Sequence, residues 1–253
     1  MNKVFLLAIA VASASCAFGL AGNGDVEAVE REARGFSSIE VSGSAVVRVR
    51  KAPSTRVVVT TDSNLQSAFG VSVRGSALRL GWKPGTMIGK VTRIEVDVYL
   101  PELEGVSLSG SCELEAMDGF SGDSLSISQS GDCSVAATRL SYRRVEVGLS
   151  GSGDTSLSGV MDAIIIKSSG SGAARLGGEG DSASFAISGS GVVDAEGFAC
   201  DEVRITVSGS GKASIEARKE LDVTASGSGT VLYRGDPRVS AKTSGSGTVR
   251  PLD

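Results

Sequence analysis

The chain has 253 residues, 41% of them hydrophobic and only 4% aromatic, so it can build a core from small and β-branched side chains. Its 34 glycines against 5 prolines argue against a disordered low-complexity chain, which is enriched in both. A net charge of −4 argues against a nucleic acid or an anionic membrane as partner, and the absence of histidine removes Ser-His-Asp and Cys-His catalysis together with the commonest metal ligand.

In chain order, residues 1–21 read as a secretory signal peptide. Lys3 supplies the positive start, an apolar run extends from Val4 to about Ala14, and small residues come next. The run is too short to span a bilayer stably, and no later segment is a transmembrane candidate. Cleavage after Ala21 fits the small-x-small rule, and cleavage after Ala14 fits as well. Cys16, directly behind Ser13-Ala14-Ser15, adds a candidate lipidation site, although the leucine usual three places earlier is missing. The expected location is therefore outside the cytoplasm, in the periplasm or at the cell surface. Residues 22–34 read as a short linker.

Residues 35–105 form an irregular β portion. "IEVSGSAVVRV", "TRVVVTTD", "GVSVRGSALRLGW" and "RIEVDVYLPEL" alternate like strands, but no further marker stands in the 67 residues between Ser42 and Ser109. This region is the candidate cap of a solenoid, because a solenoid end exposes unpaired strand edges.

Residues 106–253 are regular. The tetrad Ser-Gly-Ser-x starts at Ser42, Ser109, Ser150, Ser169, Ser188, Ser208, Ser226 and Ser244, with a degenerate Ser-Gly-Asp-Cys copy at Ser130. From Ser109 onward the spacings are 21, 20, 19, 19, 20, 18 and 18. Periods near twenty with period-two alternation predict an all-β fold, a single-stranded right-handed parallel β-helix with one coil per repeat. "GVMDA", "GFACDEV" and "YRGDPR" are expected to close the coils as loops.

Alternation carried through the markers places two glycines per coil inward: Gly151 and Gly153, Gly170 and Gly172, Gly189 and Gly191, Gly209 and Gly211, Gly227 and Gly229, Gly245 and Gly247. The serines then face out in two rows: Ser150 and Ser152, Ser169 and Ser171, Ser188 and Ser190, Ser208 and Ser210, Ser226 and Ser228, Ser244 and Ser246. Rows about 4.8 Å apart are too wide for direct hydroxyl bonds, so water or a repetitive ligand must bridge them unless they are simply a solvated face.

Cys112 and Cys133 take the second-glycine position in successive markers. Stacked in register they would stand about 4.8 Å apart, within disulfide range, so a bond between them is one candidate and two buried thiols the other. Cys200 is left to pack as a small residue in a loop. No CxxC cluster occurs, and "GGEGD" at 177–181 reads as a glycine turn, so neither metal nor cofactor is expected. Asp154, Asp181, Asp194, Glu196, Asp201 and Glu202 are available to a glycan-cleaving site but read as solvated charges. Trp82, Tyr99, Tyr142 and Tyr233 are few for a sugar-stacking surface, and alternation turns Tyr233 inward.

"GFSSIEVSGSAVVRVRKAPSTRVVVTTDSNLQSAFGVSVRGSALRLGW", then "VDVYLPELEGVSLSGSCELEA" and the array through "GTVLYRGDPRVSAKTSGSGTV", resembles the bacterial auto-transporter adhesin head GIN domain family over about residues 35–250. The resemblance implies an exported β-solenoid with a surface or adhesive role and trimeric assembly, and brings no catalytic residues with it. Cys112 and Cys133 depart from the family pattern, where glycine is usual. The expected function is therefore a non-enzymatic structural or adhesive role in the cell envelope, with another envelope protein, a glycan or further copies of the chain as partners. A polysaccharide-binding or polysaccharide-cleaving β-helix is the alternative.

Overall fold

The computed structural model describes residues 19–252; Cys16 and the apolar run of the signal segment lie outside the described residues. The chain forms a parallel β-solenoid of about 7 turns. Its regular part is built from β11 (Ser134–Gly151), β12 (Asp154–Ser168), β13 (Ala173–Gly189), β14 (Val192–Gly209) and β15 (Lys212–Gly227). Each runs 15 to 18 residues and pairs in parallel with the next.

One strand therefore covers a whole coil except its Ser-Gly corner. "GVMDA" lies inside β12 and "GFACDEV" inside β14, where loops were expected. Bulges let a strand bend without stopping, since an unpaired residue raises the local twist and turns the backbone. Register breaks occur between Ala137 and Leu140, between Arg175 and Gly177, and between Ala195 and Ala199. Of the three expected loops, only "YRGDPR" interrupts the ladder, between β16 (Thr230–Arg234) and β17 (Arg238–Gly245).

The interior obeys the alternation. Val145, Val147 and Leu149 stack on Ile164, Ile166 and Ser168, which stack on Ala183, Phe185 and Ile187, all buried. Each fully buried aliphatic side chain contributes about 1.5–3 kcal/mol, and the ladder repeats the gain coil after coil. Ser168 breaks the pattern. Its hydroxyl is buried without a hydrogen-bond partner between Leu149 and Ile187. Ser168→Ala is expected to stabilise the protein by about 1 kcal/mol, since it removes an uncompensated desolvation penalty. A thermal midpoint at or below that of the parent would contradict this.

The N-terminal end changes direction. β2 (Ser38–Gly43) and β3 (Val46–Lys51) form a coil directly against β8 (Gly105–Gly110) and β9 (Glu113–Ala116). β6 (Ala77–Trp82) and β7 (Ile94–Leu100) add a further coil outside β2 and β3. The edges are then closed by antiparallel partners: β5 (Phe69–Arg74) on β6, and β4 (Arg56–Asp62) on β7. β1 (Val26–Arg31) pairs antiparallel with β4, from Val26 opposite Asp62 to Arg31 opposite Val57.

Within the expected linker, residues Val26–Arg31 thus form a strand of the capped end. The Arg31 guanidinium donates to the Gln66 carbonyl at 2.6 Å and to its side-chain oxygen at 2.7 Å, and Gln66 Nε2 donates to the Glu27 carbonyl at 2.8 Å. Among the described residues no antiparallel strand covers the C-terminal coil. All eight residues of β17 are exposed, including the inward-parity Val239, Ala241 and Thr243.

Candidate binding site

The Ser-Gly corner is the element from which the surface features grow. In most markers the strand stops at the first glycine and the next strand begins three residues later; β12 stops earlier, at Ser168, and β13 starts at Ala173. The corners are hydrogen-bonded from coil to coil: Ser210 N–H donates to Gly189 O at 2.9 Å, and Ser228 N–H to Gly209 O at 2.9 Å.

The two glycines of a marker differ. Gly172, Gly191, Gly211 and Gly229 are buried, with Gly153 and Gly247 half-buried. Gly189, Gly209, Gly227 and Gly245 are exposed and Gly151 and Gly170 half-buried, a correction to the inward facing expected for them. At all of these but Gly170 the cause is a positive φ, +123° at Gly209, which breaks the period-two alternation at the corner.

The serines stack as two rows. Of the first row, Ser150, Ser169, Ser188, Ser208 and Ser244 are exposed, and Ser226 is half-buried. Register pairs Ser188 with Ser208, Ser208 with Ser226, and Ser226 with Ser244. Some of these hydroxyls turn back to the preceding coil, as from Ser130 Oγ to Leu108 O at 3.4 Å. The second row, Ser152, Ser171, Ser190, Ser210, Ser228 and Ser246, is exposed throughout.

That second row has a destination. Followed toward the N-terminal end it passes Asp132, then Ser111 and Ser44, the corner serines of the first coils. Ser44 and Ser111 line a cleft of 790 Å³. The cleft exists because the outermost coil lacks a Ser-Gly corner. Between Trp82, which ends β6, and Ile94, which starts β7, the chain takes the loop 83–93 instead of a tight turn.

Ala45, Ile88, Val91, Ile94 and the indole of Trp82 make its apolar lining, and Thr92, Arg93, Glu95 and Glu113 its polar rim. The indole packs edge-on to Phe69 with ring centroids 5.3 Å apart, and its Cδ1 faces the bare Gly43 corner. Glu95 accepts from the Arg48 guanidinium at 2.9 Å and lies 3.5 Å from Arg93. The Arg48 hydrogen bond outweighs desolvation and holds the Glu95 carboxyl below the usual range, so it stays ionised near neutrality. A half-buried indole beside fixed donors and acceptors suits a ring that stacks on one face and hydrogen-bonds at its edge.

The cysteines stand elsewhere. Cys112 and Cys133 stack on successive coils, with Ser134 N–H donating to Cys112 O at 2.8 Å, and both stand as buried free cysteines. Each sulfur points to a carbonyl of its own corner, Cys112 Sγ to Ser109 O at 3.4 Å and Cys133 Sγ to Ser130 O at 3.5 Å. Burial, then the neighbouring Cys133, pushes the Cys112 thiol up to about 12. Cys200 lies within β14, not in a loop, and burial pushes it up to about 11.

All three thiols are buried away from reagents, and Cys112 and Cys200 are in addition far from ionisation, which slows reaction further. All three are expected to resist thiol reagents in the native protein and to react without reductant in denaturant. A pair that needs reductant first would restore the disulfide.

Trp82 is half-buried in the cleft, and Tyr99 stacks under the Arg56 guanidinium at 4.3 Å. Tyr142 is buried and donates to Leu103 O at 2.6 Å, while Tyr233 is half-buried against the core. The acids are scattered. Asp201 pairs with Lys219 at 2.6 Å, Asp154 lies 3.7 Å from Arg175, and Asp194 accepts from Ser214 at 3.2 Å. Glu202 lines a separate 590 Å³ groove whose other acids are paired, Glu220 with Arg238 at 2.7 Å and Asp222 with Arg204 at 3.6 Å. Among the described residues no helix is long and apolar enough to cross a membrane.

Solved structures show the same fold at low identity. A protein described as a putative adhesin from Parabacteroides merdae ATCC 43184 is 24% identical with a TM-score of 0.86, over 93% of this chain and 99% of that one. One described as a putative lipid binding protein from Parabacteroides distasonis ATCC 8503 is 23% identical with a TM-score of 0.87, over 93% and 100%. A putative adhesin from Bacteroides fragilis NCTC 9343 is 19% identical with a TM-score of 0.75, over 92% and 100%. No curated protein sequence matches the chain. The profile of the family described as "Putative auto-transporter adhesin, head GIN domain" matches residues 35–237, from the first coil almost to the last, and the chain belongs to that family.

Proposed function

We propose that this protein is an exported domain of a bacterial cell envelope with a non-enzymatic adhesive role, and that it binds a hydroxyl-rich polymer, a glycan, along the second serine row and into the Trp82 cleft. The observation that carries the reading is their continuity: Ser44 and Ser111 belong both to the row and to the cleft lining. A row of exposed hydroxyls repeating about every 4.8 Å offers shallow, repetitive hydrogen bonding, and an indole at its end adds a stacking anchor. The names of the neighbours, adhesin and lipid binding protein, are compatible with binding rather than catalysis. The exposed inward-parity residues of β17 favour self-association through that end, and sedimentation of the purified domain would test it: a dimer or trimer supports the reading, a monomer removes it.

A glycan array read with the parent protein and with Trp82→Ala tests the binding. Retention of an envelope polysaccharide by the parent, weakened about tenfold or more in the variant, is the expected result. No retained glycan, or equal retention by both proteins, would overturn the site. Release of unsaturated or reducing sugar ends from any retained polymer would overturn the non-enzymatic assignment.

A further inference from the structure

The residues just before β1 are built into the wall of the cleft. Leu20 forms a parallel bridge with Ile88: its N–H donates to Met87 O at 2.7 Å, and its carbonyl accepts from Gly89 N–H at 3.0 Å. Gly22 N–H donates to Lys90 O at 2.7 Å, and Asn64 Nδ2 to Ala21 O at 2.8 Å. The segment 87–90 so held belongs to the loop that replaces the Ser-Gly corner and lines the cleft through Ile88 and Gly89. Asp62 ties the two together from beneath, with one carboxylate oxygen accepting from Gly24 N–H and the other from Thr92 N–H, both at 2.8 Å.

We infer that residues 19–24 are a strap that positions the cleft loop, and that maturation leaves the strap on the chain. Cleavage after Ala21, which the small-x-small rule allows, would remove Leu20 and with it the bridge to Met87 and Gly89. Two candidate cuts upstream keep the strap, one after Ala14 and one directly before Cys16. In either case a signal peptidase adds water across one peptide bond, leaving a carboxylate on the leader and a free amine on the mature chain. The assignment rests on the proposed export, and the N-terminal sequence separates the failure of one from the failure of the other.

The first experiment is the N-terminal sequence and intact mass of the protein recovered from its own envelope fraction. A mature chain beginning at Ser15 or Cys16 is expected, and an added acyl mass at Cys16 distinguishes a lipid anchor from plain cleavage. A chain beginning at Gly22 would overturn the strap while leaving export intact. A chain still carrying Met1 would overturn export and with it the upstream cleavage, though not the strap contacts.

The second compares purified chains beginning at Ser15 and at Gly22. Without the strap, amide exchange at Gly89 should accelerate about tenfold or more, because its acceptor is gone. Acrylamide quenching of Trp82, the single tryptophan, should rise with it. Leu20→Pro in the longer chain should reproduce both changes, since proline has no N–H to offer Met87, whereas Leu20→Ala should not. Equal exchange at Gly89 in all four proteins would overturn the positioning role.

Discussion

Gly209→Val is expected to lower stability by about 3 kcal/mol or more, a fall in thermal midpoint of about 6–12 °C, while Ser210→Val next to it changes stability by about 0.5 kcal/mol or less. The loss does not come from filling the interior, because Gly209 is exposed. It comes from the corner itself. Gly209 has φ +123°, a conformation that costs a side-chain-bearing residue about 1–3 kcal/mol. A Cβ there would also stand 2.7 Å from Gly189 O, the carbonyl that accepts from Ser210 N–H. Relieving the contact stretches that bond, worth about 1 kcal/mol. Valine adds a branch to an already crowded Cβ. Ser210 points to solvent, and its backbone bond survives the change. Equal falls for the two variants, measured by thermal or urea unfolding, would refute the corner geometry.

Asp62→Asn is expected to lower the midpoint by about 4–8 °C, more than an isosteric change suggests. Both carboxylate oxygens receive backbone N–H groups, from Gly24 and from Thr92. An amide presents an NH2 group to one of those donors, so the buried side chain sets an N–H against an N–H whichever way it is turned. Desolvation pushes the Asp62 carboxyl up, but the hydrogen bonds from the Thr92 hydroxyl and amide and from the Gly24 amide outweigh it, and the net position is below the usual aspartate value.

The pH effect has a definite sign. The folded state binds this proton less readily than the unfolded chain, so the contribution is complete above the unfolded aspartate value, about 3.9, and fades as pH falls below it. The parent should therefore lose stability between about pH 4 and pH 2 more steeply than Asp62→Asn does. Parallel acid profiles for the two proteins would show that the carboxylate is not the clamp. Because Asp62 holds Thr92 as well as Gly24, the variant should also raise quenching of Trp82.

The repeating part of the molecule was legible from local sequence. Markers spaced 18–21 residues apart, with valine, isoleucine and leucine at every second position between them, admit only a stack of similar coils. Buried Val145, Ile164, Ala183, Val203 and Leu221 come directly from that alternation. The outward serines are equally local, since a strand residue next to a buried one faces the other way.

Departures from the period became visible only in the folded chain. Alternation assumes β dihedrals throughout, and the positive φ at Gly151, Gly189, Gly209, Gly227 and Gly245 cancels it, so Gly209 is exposed while Gly211 stays buried. Register breaks accompany the bend of β14 through a segment that reads as a loop, because a bend in a hydrogen-bonded strand leaves no turn residue to mark it.

The Trp82 cleft had one local trace, Lys83-Pro84-Gly85 and then a stretch without a marker, but its walls come from residues 43–46, 82–95 and 111–113. Residues 19–31, read partly as leader and partly as linker, are held by Met87, Gly89, Asn64, Asp62 and Gln66. Contacts between residues about 35 to 70 positions apart leave no periodic signal, because they depend on where the capped end closes rather than on the local chain. For the same reason only the stack could set Cys112 Sγ 3.3 Å from Gly43 O, on a coil whose strands lie 69 residues earlier in the chain.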